Sequence, residues 1–199
     1  WSMANGLEYE RAGAARAKIG EGPQEAGAVE GGLTGKGSVE LSAPPADVWD
    51  LLLDPDTLAA VIPGCEALEQ VGDDSFTAEV VIGVAGIKGV YSAEIDLRNK
   101  IEPKSVRLVG KAAGALGFGA GEGRVTLEPL GDGRTRLSYS YRANVGGKVA
   151  AVGQRMLGTV TKLLIGQFFR GFERRLKSSG DGGDQGPGFF RRLFGGGKP

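Results

Sequence analysis

The chain has 199 residues, with 24 basic and 24 acidic side chains, one cysteine, 36 glycines and no histidine. Without histidine there is no Ser-His or Cys-His nucleophile pair, no imidazole proton shuttle and no imidazole metal ligand. A single thiol excludes an intrachain disulfide and a zinc cage built on two thiolates, and suits a reducing compartment; charge near neutrality removes the simplest electrostatic case for nucleic acid.

Residues 1–35 hold three basic against five acidic side chains, net −2, among glycines and alanines. They offer too little apolar surface to offset ordering and read as a flexible acidic extension. Trp1 and Ser2 stand before Met3 and are set aside from fold reasoning. No apolar run is long enough for a signal peptide or a membrane-spanning helix. One folded domain is expected over 36–177.

Ser38 to Ser42 alternates polar and apolar residues, as a half-buried strand does. Pro44-Pro45 opens a helix with Val48, Leu51 and Leu52 on one face, which Asp54-Pro55 closes, and a second short helix covers Asp56 to Ile62. The period then falls to two. Strands are expected at Ala67–Val71, Phe76–Ile82, Lys88–Asn99, Lys104–Ala112, Gly121–Leu130 and Thr135–Val145, separated by turn signals such as Gly72-Asp73-Asp74 and Gly131-Asp132-Gly133. With the first strand they make about seven, mostly antiparallel.

The Gly-rich run Gly110–Gly123 fits neither G-x-G-x-x-G nor G-x-x-x-x-G-K-[ST] and opens no helix, so it reads as a mobile hairpin loop with Leu116 and Phe118 at its tip. Gly147 to Lys177 reads as one helix of about 30 residues carrying seven basic side chains against Glu173, net +6. Val149, Val152, Met156, Val160 and Leu163 form an apolar stripe, which Leu157, Leu164 and Phe168 widen. Gly153, Gly158, Gly166 and Gly171 each weaken a helix by up to about 1 kcal/mol relative to Ala, so close packing or room for a ligand must account for them. The whole predicts an α+β fold: a curved antiparallel sheet wrapped on a long C-terminal helix.

Ile62-Pro63-Gly64-Cys65-Glu66, Ile87-Lys88-Gly89, Gly117-Phe118-Gly119-Ala120-Gly121, Arg124-Val125-Thr126-Leu127-Glu128-Pro129 and Val145-Gly146-Gly147-Lys148-Val149 occur in that order. In combination they resemble the carbon monoxide dehydrogenase G-subunit family of the START-like (SRPBCC) helix-grip superfamily, over 36–177. The acidic extension departs from that pattern. The resemblance implies a helix-grip fold with a hollow under the helix for greasy ligands. It also implies service to a molybdenum-containing carbon monoxide dehydrogenase, by recruiting it to the membrane and handling the quinone that accepts its electrons.

On that basis the ligand-binding candidates are Tyr91, Leu116, Phe118, Met156, Leu157, Val160, Leu164, Phe168 and Phe172; the helical ones serve equally well as ordinary core. Glu94, Arg107, Tyr139 and Tyr141, also on strands, are further polar candidates, each individually better explained as a cross-strand partner. Cys65 lacks a base and reads as a small residue at a turn. No catalytic residue or metal is assigned, and an isoprenoid quinone such as menaquinone enters as cargo, not as a cofactor.

Ser178–Gly188 reads as a Gly-rich linker. Beyond it Phe189, Phe190, Leu193 and Phe194 fall on one side of a helical turn and Arg191 and Arg192 on the other. Six residues cannot span a bilayer but can lie at an anionic interface, weakly and reversibly. The expectation is a non-enzymatic carrier of a hydrophobic molecule that is cytoplasmic and touches the inner face of the cytoplasmic membrane. Its rivals are a ligand-free adaptor and, by analogy within the superfamily, a cyclase-like enzyme.

Overall fold

The computed structural model describes residues 32–84 and 87–181. The predicted acidic extension up to residue 31 and the tail from Phe189 to Phe194 lie outside the described residues.

Strand β1 (Leu33–Leu41) is followed by α1 (Pro45–Leu53) and α2 (Pro55–Val61), then by a meander of six strands: β2 (Cys65–Gly72), β3 (Ser75–Val84), β4 (Ile87–Ile101), β5 (Ser105–Gly114), β6 (Gly117–Gly131) and β7 (Arg134–Gly146). All seven form one antiparallel sheet in the order β1-β7-β6-β5-β4-β3-β2. Thus α1 and α2 carry the chain from one edge of the sheet to the other. Asp54 separates them and caps the second, its carboxylate accepting from the Thr57 N–H at 2.8 Å. Prolines 45 and 55 occupy the first helical turns, where their missing N–H costs nothing.

The last element differs from the single helix expected at Gly147–Lys177. Gly147–Val152 is a 3-10 helix, Gly153 turns the chain in the left-handed region at φ 82°, and α3 runs from Gln154 to Asp181, about 42 Å. Only glycine enters that region at little cost, so Gly153 resets the helical phase. Lys148 therefore does not share a helix face with Arg155 and Lys162. Leu157, Val160, Phe172 and Leu176 are buried against the sheet at i, i+3 and i+4 intervals, whereas Met156 and Leu163 are exposed. Ser178–Asp181, expected in the linker, continue α3.

Two further corrections concern glycine. The strand expected to begin at Ser38 begins at Leu33, because the rings of Tyr139 and Tyr141 cover Gly37 and Gly35 from the neighbouring strand. The run Gly110–Gly123, expected as a mobile loop, is two paired strands joined by the tight turn Ala115-Leu116. Its alternate glycines lie on the sheet's inner face, the one that carries Val125 and Leu127 into the core. Ladder pairing aligns them into a band of residues without bulk, Ala78–Ala93–Ala112–Gly119 beside Gly110–Gly121–Ala143, with Ile95 of the cavity floor at the end of the second row. At Gly121 a Cβ would stand 2.8 Å from that of Ala143, so the absence of side chains lets the sheet curve sharply here.

Two apolar clusters hold α3 to the sheet. One contains Leu41, Val48, Trp49, Phe76, Leu97, Val106, Leu127, Leu137, Phe172 and Leu176; the other contains Tyr91, Val149, Leu157 and Val160. In the first, the Thr135 hydroxyl, fully buried, donates to the Ala43 carbonyl at 2.7 Å and ties β7 to the β1–α1 connection.

Candidate functional site

Within the larger cluster the packing leaves a cavity of about 250 Å³. Leu52, Leu58 and Ile62 of α1–α2 close one side, Phe168 and Phe169 of α3 form the roof, and Ile95, Leu97, Val106, Leu108, Val125 and Leu137 form the floor. Every lining side chain is a hydrocarbon. Such a space stays dry and welcomes apolar matter, since a water molecule there would find no hydrogen-bond partner. Period-two alternation brings the floor residues to one face, and α3 adds an aromatic row: Phe168 meets Phe169 edge-on at 5.3 Å and stacks on Phe172 at 5.9 Å, while Tyr139 lies 5.5 Å from Phe169.

Of the residues predicted from sequence to touch a ligand, Phe168 lines this cavity. Phe172 lies behind it, fully buried and stacked on Phe168. Tyr91, Leu157 and Val160 are gathered in the second cluster, with Leu116 and Leu164 packed against them, under the N-terminal half of α3. Met156 is exposed on α3. Phe118 is also exposed: strand alternation puts it on the outer face, where its ring covers Gly146 across the β6–β7 ladder. The remaining lining residues come from α1, α2 and its C-terminal cap Ile62, the six strands β2 to β7, and Phe169 of α3, and each has the same character as an ordinary core residue.

The second cluster contains one polar anomaly. Tyr91 is buried on the inner face of β4, and its hydroxyl oxygen has no hydrogen-bond partner among the described residues. Burial raises the phenol above its ordinary value, so it remains a neutral donor. Burial likewise raises Tyr141. Glu94 and Arg107 point to the outer face and pair across strands, with Lys111 at 3.0 Å and with Glu122 respectively. The Arg107 contact holds the Glu122 carboxyl below its ordinary range, and a hydrogen bond from Ser75 does the same for Asp96.

The Cys65 thiol donates to the Ala67 carbonyl at 3.4 Å and is raised by burial, which keeps it protonated and a poor nucleophile. It borders an open groove of about 650 Å³ between the α2–β2 turn and the C-terminal half of α3, whose charged lining is Arg170, Arg174 and Lys177 with Glu173. Six cations of the sheet, Arg98, Lys100, Arg107, Lys111, Arg134 and Arg136, form ion pairs. Those of α3 form none among the described residues, which leaves a basic surface unneutralised. No described helix is long and apolar enough to cross a membrane.

Comparison with known proteins fits this geometry. The family model for the G subunit of carbon monoxide dehydrogenase (CoxG) matches residues 37–177. The chain belongs to the CoxG family. A solved structure described as a conserved protein from Geobacillus kaustophilus is 44% identical, with TM-score 0.72, over 74% of this chain and 97% of that one. The fold recurs at lower identity in a START superfamily protein from Mycobacterium smegmatis (16%, TM-score 0.59, 74% and 99% covered). It recurs also in the ZhuI aromatase/cyclase from Streptomyces sp. R1128 (18%, TM-score 0.57, 72% and 93% covered). No curated protein matches the chain.

Proposed function

We propose that this CoxG-family protein is a non-enzymatic carrier of a hydrophobic molecule, an isoprenoid quinone such as menaquinone, that links molybdenum-containing carbon monoxide dehydrogenase to the membrane. The observation that carries this reading is the hydrocarbon-lined cavity of about 250 Å³ enclosed by α1–α2, α3 and the sheet. Pockets that bury most of a drug-sized ligand run about 300–1,000 Å³, so the space as it stands takes a ring or a segment of chain, and a longer molecule must displace side chains of α3. Family membership supports the dehydrogenase as partner.

The unneutralised cations of α3 support contact with an anionic surface, and the Phe189–Phe194 segment with Arg191 and Arg192 supplies the apolar insertion. A cyclase reading would require acid and base groups converging on the cavity, and its lining has no titratable side chain. A pure adaptor would have no use for the hollow.

The test is transfer. Vesicles loaded with a short-chain menaquinone are incubated with the full chain and then pelleted. The carrier reading expects quinone in the supernatant in proportion to protein, and removal of residues 182–199 should abolish co-sedimentation of the protein with anionic vesicles. Quinone that stays wholly with the vesicles refutes the carrier.

A further inference from the structure

Tyr91 presents a physical problem. It is only 7% exposed, and its hydroxyl oxygen is shielded from solvent with no acceptor among the described residues. A buried donor left unmade carries its full desolvation cost, which phenylalanine would avoid at the same shape. Such an orphan requires an explanation, and a ligand that supplies the acceptor is one.

The ring's surroundings are tightly set. It packs with Val149, Leu157 and Val160, and a Cβ added at Gly114, its cross-strand neighbour, would stand 2.8 Å from the ring's Cδ1. Glycine at 114 thus holds the ring against the backbone of β5.

The position of Tyr91 relative to the cavity is equally specific. Ile95, a floor residue, lies four residues further along β4, about 13 Å on the same face. Only Ala93 lies between them on that face of β4, and only Ala112 and Gly110 separate Gly114 from the floor residue Leu108 on β5. The band of small residues is therefore a smooth track from the hydrocarbon cavity to the phenol.

We infer that the Tyr91 hydroxyl donates the single directed hydrogen bond to the head of the ligand, and that this head is a neutral carbonyl whose chain runs along the alanine–glycine track into the cavity. This rests on the carrier reading above and narrows it. Neutrality follows from what surrounds the path. No cation lines the cavity, and the cluster around Tyr91 is apolar, so a carboxylate would be buried with one neutral donor and no counter-charge. A quinone, ketone or ester carbonyl asks for one donor and finds it. Fatty acids, which fit the hydrocarbon cavity equally well, are disfavoured at the head.

The experiment uses the full chain and Tyr91→Phe with three probes: 2-methyl-1,4-naphthoquinone carrying a short prenyl tail, 2-methylnaphthalene carrying the same tail, and palmitate. The variant should melt at or above the wild-type temperature without ligand, because it removes an orphan donor. Its affinity for the quinone should fall about tenfold, while its affinity for the hydrocarbon stays within about twofold. The bound quinone's carbonyl stretch should lie at lower wavenumber in the wild type than in the variant. Equal quinone affinity in the two proteins, equal loss of quinone and hydrocarbon, or tighter binding of palmitate than of quinone by the wild type would each overturn the Tyr91 assignment while leaving a carrier in place. A wild type that binds none of the three refutes the carrier reading and this inference together.

Discussion

Val125 stands on the cavity floor, opposite Val106 across the β5–β6 ladder. Replacing it with phenylalanine puts four more carbon atoms into the space under Phe168. The outcome separates a real hollow from a solid core. In a solid core the larger ring forces neighbours off their rotamers and costs about 1–3 kcal/mol. In a hollow it removes apolar surface from water without displacing anything, at about 0.8 kcal/mol per methylene equivalent, or up to about 3 kcal/mol.

The hollow itself sets the scale. At about 24 cal/mol per Å³, a void of about 250 Å³ corresponds to roughly 6 kcal/mol of lost packing that a ligand or a larger side chain recovers in part. Val125→Phe should therefore raise the unfolding midpoint of the ligand-free protein, by about 2–4 °C for each kcal/mol gained in a domain of this size. The same change should weaken binding of the hydrophobic probe at least tenfold, since the ring occupies the ligand's place. Thermal and denaturant unfolding of both proteins, with probe titrations alongside, measure the two effects. A midpoint that drops by several degrees would refute the open cavity.

Contacts away from the cavity have smaller, separable effects. Thr135→Val keeps the shape but removes the hydroxyl that meets the Ala43 carbonyl at 2.7 Å, and should cost about 1–3 kcal/mol in urea unfolding; a loss below about 0.5 kcal/mol would contradict the role given to that bond. Asp54→Ala removes the α2 cap and should cost about 1 kcal/mol by the same assay, whereas Asp54→Ser should recover most of it. Asp96 and Glu122 both have carboxyls held below their ordinary range, Asp96 chiefly by Ser75 and Glu122 chiefly by Arg107. Their contribution is present above the unfolded carboxylate range near pH 4 and is lost as pH falls through the lower folded values, so Glu122→Gln should flatten the acid side of the stability profile. An unchanged profile would show that the Arg107 contact does not operate in solution.

Much of the architecture is legible from residue pattern alone. The alternation through Ile95 and Leu97 marks the centre of β4, Pro45 marks where α1 begins, and Asp54 and Pro55 mark where it ends and α2 begins. Glycine is where the reading fails, for a definite reason. Local sequence cannot distinguish a glycine that frees a turn from one that leaves a strand's inner face bare. Gly110 and Gly121 declare themselves only when the register sets them opposite each other. Leu33–Gly35 joins the sheet because Tyr141, about 100 residues away, covers Gly35, a contact no local window contains.

The apolar stripe of the last helix is misphased for a related reason. A periodicity carried across Gly153 assumes one helix where there are two, so Met156 and Leu163 fall on the exposed side. The site itself is harder still. Leu52, Leu108 and Val125 read as core because they are core in every local respect, and only the failure of α1–α2, α3 and the sheet to meet completely turns them into a cavity wall. Tyr91 is visible as a strand tyrosine, but its orphaned hydroxyl exists only in the packed structure.

Whether the hollow holds cargo is decided by what the native protein already contains. The full chain, purified without detergent from cells that make isoprenoid quinones, is weighed by native mass spectrometry and then extracted into organic solvent. A carrier should yield one neutral, carbonyl-bearing lipid per chain, absent from Val125→Phe prepared in the same way. Protein that emerges empty, and whose melting temperature does not change when a short-chain quinone is added, contradicts the carrier.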